Sequence, residues 1–327
     1  MSYEAKVEQE IRIYQDVANV HELPPIYHYW SNKYLRPKLE SLGFKNPNEF
    51  YVEYIKPMAL ATPDTVCRIL SLGAGNCDTE VILADLLERS GVRNFAFDCL
   101  DVNPQMLARG KQLAQDRSLS SHFDFFEADI NSWEAQTSYD IVIANQCLHH
   151  FVELERLFER TRGCLQDKGF FLTNDMIGRN GHMRWPEALE FVQACWTLLD
   201  EKHQWNWQLK RREEVYENWN CSIEGFEGIR SQDILPLLVK GFHFDCFLGF
   251  GNAINVFVDR AFGHNFDVSK PKDCYFIDFV SQLDDYFIEA GKLKPTQMIA
   301  AMTKTGRSPT KVYKHLTPEF CIRDPSL

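Results

Sequence analysis

The segment from Ile69 to Asp78 restricts the fold of this chain most, because an apolar strand breaks there into a glycine turn that opens a helix. Gly73 and Gly75 can adopt backbone conformations that are strained for residues with a Cβ atom, and they let a ligand approach the main chain closely. Asp78 stands where it can cap the helix. The segment therefore predicts a nucleotide-binding turn at the end of a buried strand.

Helical spacing continues after the turn and predicts which side chains the helix buries. The apolar residues at this spacing are Val81, Ile82, Leu83, Leu86 and Leu87. Three charged residues are expected to face water, namely Glu80, Glu88 and Arg89.

A second strand is predicted from Asn94 to Leu100, and Asp101 follows it directly. Open parallel sheets bind ligands at the carboxyl ends of their strands. A carboxylate at that point can accept hydrogen bonds from both hydroxyls of a ribose. Asp101 is therefore the central residue of the predicted nucleoside site.

The remainder of the glycine turn bears on which nucleotide binds. Dinucleotide sites place a third glycine three residues after the second and seat a pyrophosphate on the helix N-terminus. Here that position holds Asp78, which would repel a phosphate. An NAD-dependent dehydrogenase is disfavoured for this reason, and the sulfonium cofactor S-adenosylmethionine fits better.

The chain resembles the class I S-adenosylmethionine-dependent methyltransferases of the small-molecule type from about Arg68 to Gly178 and again near its C-terminus. Four ordered motifs carry the resemblance, and they are Ser71–Gly75, Asp101–Leu107, Phe126–Ile130 and Tyr139–His150. The resemblance implies an α/β fold with a Rossmann-like, seven-stranded, mostly parallel sheet, an N-terminal helical lid and an inserted cap.

The same resemblance implies which residues bind the cofactor. The first motif of the family surrounds the methionine part, the acid of the second binds the ribose, and the acid of the third accepts from the adenine amino group. Carried over to this chain, the cofactor-binding residues are Ser71, Gly73, Ala74, Gly75, Asp78, Asp101, Val102, Met106, Asp129, Ile130 and Asn145. The family often has an acid at the place of Ser71 and a glycine at the place of Cys77, so Asp78 is a candidate replacement.

Catalysis by such a site requires alignment of an acceptor with the methyl group and, for an oxygen acceptor, removal of a proton. His149 and His150 follow the fourth predicted strand directly and are the candidate bases, because imidazole titrates near neutral pH. A Leu-His-His ending also occurs in the family where no base is needed. A structural role for the two histidines therefore stays open.

Domain boundaries follow from the aromatic clusters and from the order of strands and helices. Residues 1–60 are predicted to form the lid, residues 61–178 and 238–310 the core, and residues 179–237 a helical cap over the substrate pocket. The candidate substrate contacts in the lid and cap are Tyr29, Tyr34, His182, Trp185 and Arg230. Aromatic packing and surface ion pairs are the alternative roles for these side chains.

Composition limits the partners of the chain. A net charge of −11 without a basic run argues against nucleic acid. The ten cysteines are scattered with no C-x-x-C pair, which suits reduced thiols in the cytoplasm and predicts no metal site. The N-terminus is too charged for a signal peptide, and no apolar run is long enough to span a membrane.

The predicted function is methyl transfer from S-adenosylmethionine to an oxygen or nitrogen of a small-molecule metabolite, since an elaborate cap favours a discrete substrate. Two alternatives stay open, methylation of a protein side chain and a non-catalytic cofactor-binding partner subunit. A homodimer is compatible with the sequence.

Overall fold

A computed structural model describes residues 3–15, 22–61, 64–223, 225–306 and 308–325. Within these residues, eight strands form one sheet and two more form a separate hairpin. In chain order the strands are β1 (Cys67–Leu72), β2 (Phe95–Asp101), β3 (Phe123–Glu127), β4 (Tyr139–Asn145), β5 (Leu165–Met176), β6 (Trp205–Asn206), β7 (Arg211–Arg212), β8 (His243–Phe250), β9 (Gln297–Thr303) and β10 (Lys311–Val312).

The sheet has the order β10-β8-β9-β5-β4-β1-β2-β3, and strand β9 alone runs antiparallel to its neighbours β5 and β8. The predicted Rossmann-like, mostly parallel sheet is therefore confirmed, including the antiparallel insertion of the last long strand. The strand count differs from the predicted seven. The additional strand, β10, pairs with β8 through two residues only, and so short a segment has no recognisable alternation.

Helices cover the sheet and the N-terminal region. In chain order they are α1 (Tyr3–Gln15), α2 (Pro25–Trp30), α3 (Arg36–Leu42), α4 (Pro47–Ala61), α5 (Asp78–Arg89), α6 (Pro104–Asp116), α7 (Leu154–Cys164), α8 (Pro186–Trp196), α9 (Ser231–Gly241), α10 (Ile254–Val258), α11 (Pro271–Glu289) and α12 (Pro318–Cys321). A π-helical turn, Ser31–Leu35, joins α2 to α3. None of the described helices combines the length and hydrophobicity needed to cross a bilayer.

Both faces of the central strands are buried. Ile69 belongs to a hydrophobic cluster on one face of the sheet, and its neighbour Leu70 belongs to the cluster on the other face. Successive side chains of a strand point to opposite faces, so this division is expected for a parallel strand with helices on both sides. The ligand-binding edge of the sheet is thereby supported by two packed layers.

Helix α5 buries Val81, Leu83 and Leu87 as predicted, but its inner face is rotated from the predicted one. Ile82 and Leu86 are exposed, whereas Glu80 is 2% exposed. The buried face instead follows Glu80, Leu83 and Leu87, which have the i, i+3, i+7 spacing of one helical side. The prediction that Glu80 faces water was therefore wrong, and the helix turns a carboxylate towards the sheet.

Candidate active site

The described residues enclose a cavity of about 880 Å³ at the carboxyl ends of the parallel strands. The turns that follow β1, β2 and β4 line it, as do residues beyond β5 and residues of α1. Side chains at this edge of the sheet meet although they are far apart in the sequence. The cavity is therefore where the predicted cofactor residues can be compared with the structure.

The glycine turn has the left-handed backbone that its sequence predicts. Gly73 has φ 60° and Gly75 has φ 54°. A Cβ atom at Gly73 would lie 2.8 Å from Cys147 Cβ, so side-chain packing requires glycine there as well. Cys77, with φ 56° and no capping side chain, precedes the first residue of α5. Asp78 is that first residue and lines the cavity, so it does not cap the helix as predicted.

Asp101 lies at the end of β2 and lines the cavity next to the turn. Its Oδ2 accepts a hydrogen bond of 2.8 Å from the Gly75 amide, and its Oδ1 accepts one of 2.8 Å from the Asn103 amide. Burial raises the pKa of Asp101, while these amides oppose the increase. The carboxylate is fixed at the position predicted for a ribose-binding acid. Val102 and Met106 line the adjoining wall.

Asp129 and Ile130 follow β3 and also line the cavity. The Tyr3 hydroxyl donates a hydrogen bond of 2.6 Å to Asp129 Oδ2, and the Asn131 amide donates one of 2.9 Å to Oδ1. The acid that the resemblance assigns to the adenine amino group therefore contacts helix α1. This contact joins the N-terminal helix to the cofactor side of the cavity.

Asn145 ends β4 at the cavity wall, and a residue that the sequence analysis did not single out holds it. The Tyr51 hydroxyl donates a hydrogen bond of 2.9 Å to Asn145 Oδ1, and Asn145 Nδ2 donates one of 3.2 Å to Thr79 Oγ1. Tyr51 is 1% exposed, and burial raises its pKa well above the usual value. It therefore remains a neutral hydrogen-bond donor.

Ser71 and Glu80 form a buried pair beside the glycine turn. Ser71 Oγ donates a hydrogen bond of 2.6 Å to Glu80 Oε1. Glu80 lines the cavity, and its Oε2 has no hydrogen-bond partner among the described residues. Burial raises the pKa of Glu80 to about 7. A bound cation, such as the ammonium group of an amino acid, could satisfy this oxygen. Ala74 lines the same wall.

Three histidines surround Glu227 on another wall of the cavity. His182 Nε2 lies 2.6 Å from Glu227 Oε1, His149 Nε2 lies 3.4 Å from the same oxygen, and His150 Nε2 lies 3.4 Å from Oε2. His149 Nδ1 donates a hydrogen bond of 2.6 Å to Asp175 Oδ1. The cluster brings together the loop after β4, the loop after β5 and a cap loop. Only its two adjacent members, His149 and His150, were predicted as catalytic residues.

The charges in this cluster follow from burial and from its neighbours. Burial disfavours the imidazolium form of His149, but Asp175 and Glu227 outweigh burial and raise its pKa to about 10. Burial likewise opposes ionisation of Glu227, yet the imidazoles beside it hold its pKa well below the usual value. Burial lowers the pKa of His182 despite its contact with Glu227. The cluster thus pairs a carboxylate with both a charged and a neutral imidazole.

The lid tyrosines predicted as substrate contacts lie elsewhere, and among the described residues neither belongs to the cavity wall. The hydroxyls of Tyr29 and Tyr34 donate hydrogen bonds of 3.0 Å and 2.8 Å to Asp278 of α11, and Lys33 forms an ion pair with the same carboxylate. These aromatic residues therefore fasten the N-terminal segment to α11. These contacts match the alternative role given for the two tyrosines, which is packing of the N-terminal segment.

Trp185 and Arg230 also lie away from the described cavity wall. The ring of Trp185 packs against the guanidinium groups of Arg179 and Arg323, at 5.3 Å and 4.6 Å from its centroid. Arg230 forms a two-pronged ion pair with Glu155, with distances of 2.6 Å and 2.7 Å. An arginine saturated by an acid in this way is a structural contact. Of the predicted substrate residues, His182 lines the cavity.

Several residues that were not predicted as substrate contacts also line the cavity. They include Met183, Arg184, Tyr216 and Trp219 of the cap, and Arg260 and Phe262, which follow α10 in the core segment. Arg184 Nη1 donates a hydrogen bond of 2.9 Å to the Asn252 carbonyl. Among the described residues, no carboxylate forms an ion pair with Arg184, and its buried Nε has no hydrogen-bond partner. These positions show no regular spacing in the sequence, because they lie in separate loops that meet only in the folded chain.

Comparisons with known proteins find methyltransferases among the similar sequences and structures. Residues 70–171 match the family described as a methyltransferase domain. The chain is 24% identical over 174 residues to fusarielin synthase FSL1 of Gibberella zeae, covering 52% of this chain and 6% of that protein. It is 33% identical over 81 residues to trans-aconitate 2-methyltransferase of Streptomyces coelicolor, covering 25% of each protein. The chain therefore spans only a quarter or less of the length of these curated relatives.

A solved structure with a similar fold is the O-methyltransferase of a trans-AT polyketide synthase multienzyme from Brevibacillus brevis, in complex with S-adenosylhomocysteine. It is 15% identical to this chain, with 93% of this chain and 84% of that chain covered and a TM-score of 0.41.

The sheet order, the glycine turn and the acid at the end of β2 define a nucleoside-binding α/β enzyme fold. Among enzymes with this fold, the match at residues 70–171 is to the family described as a methyltransferase domain. Residues 70–171 are therefore a methyltransferase domain, and this domain contains the glycine turn, Asp101 and His150.

Proposed function

We propose that the chain transfers the methyl group of S-adenosylmethionine to an oxygen or nitrogen atom of a small molecule. The proposal rests on the observation that the glycine turn and the imidazole–carboxylate cluster line the same cavity. The turn, with Asp101, would hold the nucleoside. The cluster supplies groups that can take a proton from an acceptor next to the methyl group.

His150 is the proposed base. Its side chain is 20% exposed, and its Nε2 faces Glu227 Oε2. A carboxylate beside an imidazole orients the ring for proton transfer. The acceptor proton would pass to His150 as the bond from the acceptor to the methyl carbon forms and the sulfur–carbon bond breaks. Since Asp175 and Glu227 occupy both ring nitrogens of His149, that residue positions the cluster.

The cap side of the cavity supports a small acceptor. Pockets for small ligands commonly have volumes of about 300–1,000 Å³, so about 880 Å³ is suited to a cofactor with a modest partner. The aromatic and apolar wall, which includes Trp219 and Phe262, favours an acceptor with an apolar body. Arg184, which no described carboxylate neutralises, favours an acceptor with a negative group such as a carboxylate.

The lid and the cap are part of the proposal. Three residues of α1, Tyr3, Val7 and Ile11, line the cavity, which supports a lid within residues 1–60. The residues Met183 and Trp219 support a cap within residues 179–237. This segment contains helix α8 and the β6–β7 hairpin. A covered cavity excludes water from a reactive sulfonium and its acceptor.

The proposal includes a reducing compartment such as the cytoplasm. The ten cysteines are all free, and nine are buried. Buried thiols that form no disulfide suit a reducing environment.

Transfer of radiolabelled methyl groups tests the proposal. The protein would be incubated with methyl-labelled S-adenosylmethionine and a cell extract that is divided into small-molecule and macromolecular fractions. We expect label in the small-molecule fraction, little in the macromolecular fraction, and much less label in the small-molecule fraction with the Asp101→Ala protein. Label found only in proteins, or no transfer to either fraction, contradicts the proposal.

A further inference from the structure

We infer that His149, His182 and Glu227 bind one divalent transition-metal cation, of which Zn²⁺ is the simplest probe. Each residue offers one ligand atom, and these atoms all lie within 4.8 Å of one another. Two imidazole nitrogens and one carboxylate oxygen form a ligand set that Zn²⁺ and similar cations bind. The sequence gives no sign of the site, because its three ligands come from separate loops.

The spacing of the ligand atoms is close to that of a metal centre. Zinc holds nitrogen and oxygen ligands at about 2.0–2.2 Å in a tetrahedron, so neighbouring ligand atoms lie roughly 3.3 Å apart. His149 Nε2 and Glu227 Oε1 are 3.4 Å apart. His182 Nε2 and Glu227 Oε1, at 2.6 Å, share a hydrogen bond. A cation would replace that shared proton and the Nε2 proton of the charged His149, and a small movement of His182 would open the distance.

Two of the ligands, His149 and Glu227, already have the outer partners that metal ligands require. Asp175 Oδ1 accepts a hydrogen bond of 2.6 Å from His149 Nδ1, so Nε2 is the ring nitrogen directed at the site. His150 Nε2 lies 3.4 Å from Glu227 Oε2, which leaves Oε1 as the ligand oxygen. Carboxylates that orient a metal-bound imidazole are a regular feature of metal sites, since they fix its tautomer and ring position.

The backbone at the remaining ligand, His182, is held in an unfavourable conformation. His182 has φ 54°, although it carries a side chain, and it follows Gly181 with φ 66°. Gly228, next to Glu227, has φ 67°, and a Cβ atom there would lie 3.1 Å from the His182 ring. Strain of this kind persists where the surrounding structure imposes it, and it is concentrated at functional sites. Here it brings His182 and Glu227 together.

A cation at this position would face the methyl acceptor, and this use of the site rests on the proposed function. All three ligands line the cavity, so the remaining coordination positions are open to it. An acceptor hydroxyl bound to the cation would ionise more readily. Its proton would pass to His150, its oxygen would form the new bond to the methyl carbon, and the sulfur–carbon bond would break.

Direct metal binding tests the inference without an activity assay. The full chain would be stripped with a chelator, dialysed, and titrated with ZnCl₂ by calorimetry and with CoCl₂ by visible absorption. We expect one equivalent per chain. The variants His182→Asn and Glu227→Gln should each lose about 100-fold or more in affinity. Asparagine tolerates a positive φ, so the first variant removes the imidazole without adding strain. His28→Ala removes an exposed imidazole outside the described cavity wall and should leave binding unchanged.

Thermal unfolding and S-adenosylhomocysteine affinity, measured on every variant, establish that each protein is folded. The inference is overturned if the stripped wild-type protein binds no stoichiometric Zn²⁺, or if either folded ligand variant binds it as tightly as the wild type. Methyl transfer by the same proteins bears on the proposed function alone. A failure of one conclusion is therefore distinguishable from a failure of the other.

Discussion

Ser71 Oγ donates a hydrogen bond of 2.6 Å to Oε1 of Glu80, and the two residues lie on either side of the glycine turn. Methyltransferases that the chain resembles often have an acid at the place of Ser71. In this chain, Glu80 of the following helix supplies a carboxylate beside that place. The second oxygen, Oε2, is buried without a partner among the described residues. We expect it to bind the ammonium group of the cofactor's methionine part.

Glu80→Gln should weaken binding of S-adenosylhomocysteine by roughly 10- to 100-fold, the value of a hydrogen bond to a charged group. The same variant should bind methylthioadenosine, which lacks the amino-acid group, as the wild type does. Calorimetry with both ligands measures the two affinities. Asp85→Asn on the same helix removes half of an ion pair with Arg89 and serves as a control. Equal losses for both ligands would show that the variant disturbs the whole site.

The affinity for S-adenosylhomocysteine should depend on pH through Glu80. Its pKa is raised to about 7 by burial, and a bound ammonium group favours the ionised carboxylate and lowers that pKa. Binding therefore releases a proton, and affinity should fall as pH decreases from 7 to 6, by up to about tenfold. Calorimetry in two buffers of different ionisation enthalpy measures the released proton. A profile in wild type as flat as that of Glu80→Gln would contradict this role.

Asp101→Ala should weaken S-adenosylmethionine binding by about 2 to 4 kcal/mol, because two ribose hydroxyls lose a charged acceptor. The variant also leaves the amides of Gly75 and Asn103 without their carboxylate, so thermal unfolding must be measured in parallel. Asp116→Asn, at the exposed end of α6, is the matched control. Unchanged calorimetric affinity in folded Asp101→Ala would remove Asp101 from the cofactor site.

Gly73→Ala should destabilise the protein more than Gly91→Ala. Both glycines have positive φ, so alanine is strained at either place. A Cβ atom at Gly73 also meets Cys147 at 2.8 Å, whereas one at Gly91 meets nothing within 4 Å. We expect about 1 kcal/mol of lost unfolding free energy for Gly91→Ala and about 2–4 kcal/mol for Gly73→Ala. Urea denaturation of both variants measures the difference, and equal losses would mean that the turn moves to admit a side chain.

His150→Ala should slow methyl transfer by roughly 100-fold while the affinity for S-adenosylhomocysteine stays unchanged. The variant loses the proposed base. The side chain of His150 lines the cavity and is only partly buried, so its removal should not disturb the fold. Single-turnover rates of the variant and of His28→Ala give the comparison. A near-normal rate in folded His150→Ala would leave a structural role for this residue.

The elements around the cofactor could be predicted from sequence because their signals are local. The glycine turn, the strand before Asp101 and helix α5 each follow from neighbouring residues, and the strand lies within one residue of its predicted bounds. The orientation of Glu80 could not be predicted. A charged residue in the first turn of a helix is ordinarily assigned to solvent, and only its hydrogen bond with Ser71 explains its burial.

The substrate side of the site depends on contacts between distant segments, which sequence patterns do not contain. Tyr29 and Tyr34 belong to an aromatic cluster that suggested a pocket, but their partner, Asp278, lies more than 240 residues further along the chain. Glu227 lies in an irregular loop with no motif, yet three histidines from two other loops converge on it. Its role became visible only when the loops were placed in space.

Asp175 accepts hydrogen bonds from the amides of Cys147 and Leu148 as well as from the imidazole of His149. One buried carboxylate thus holds both the loop and the reactive cluster, and replacing it would damage architecture and chemistry together. Met183 and Trp219, at the far wall of the cavity, are not fully buried. Exchange of these two side chains would therefore change the accepted substrate at little structural cost, whereas replacement of Asp175 would not.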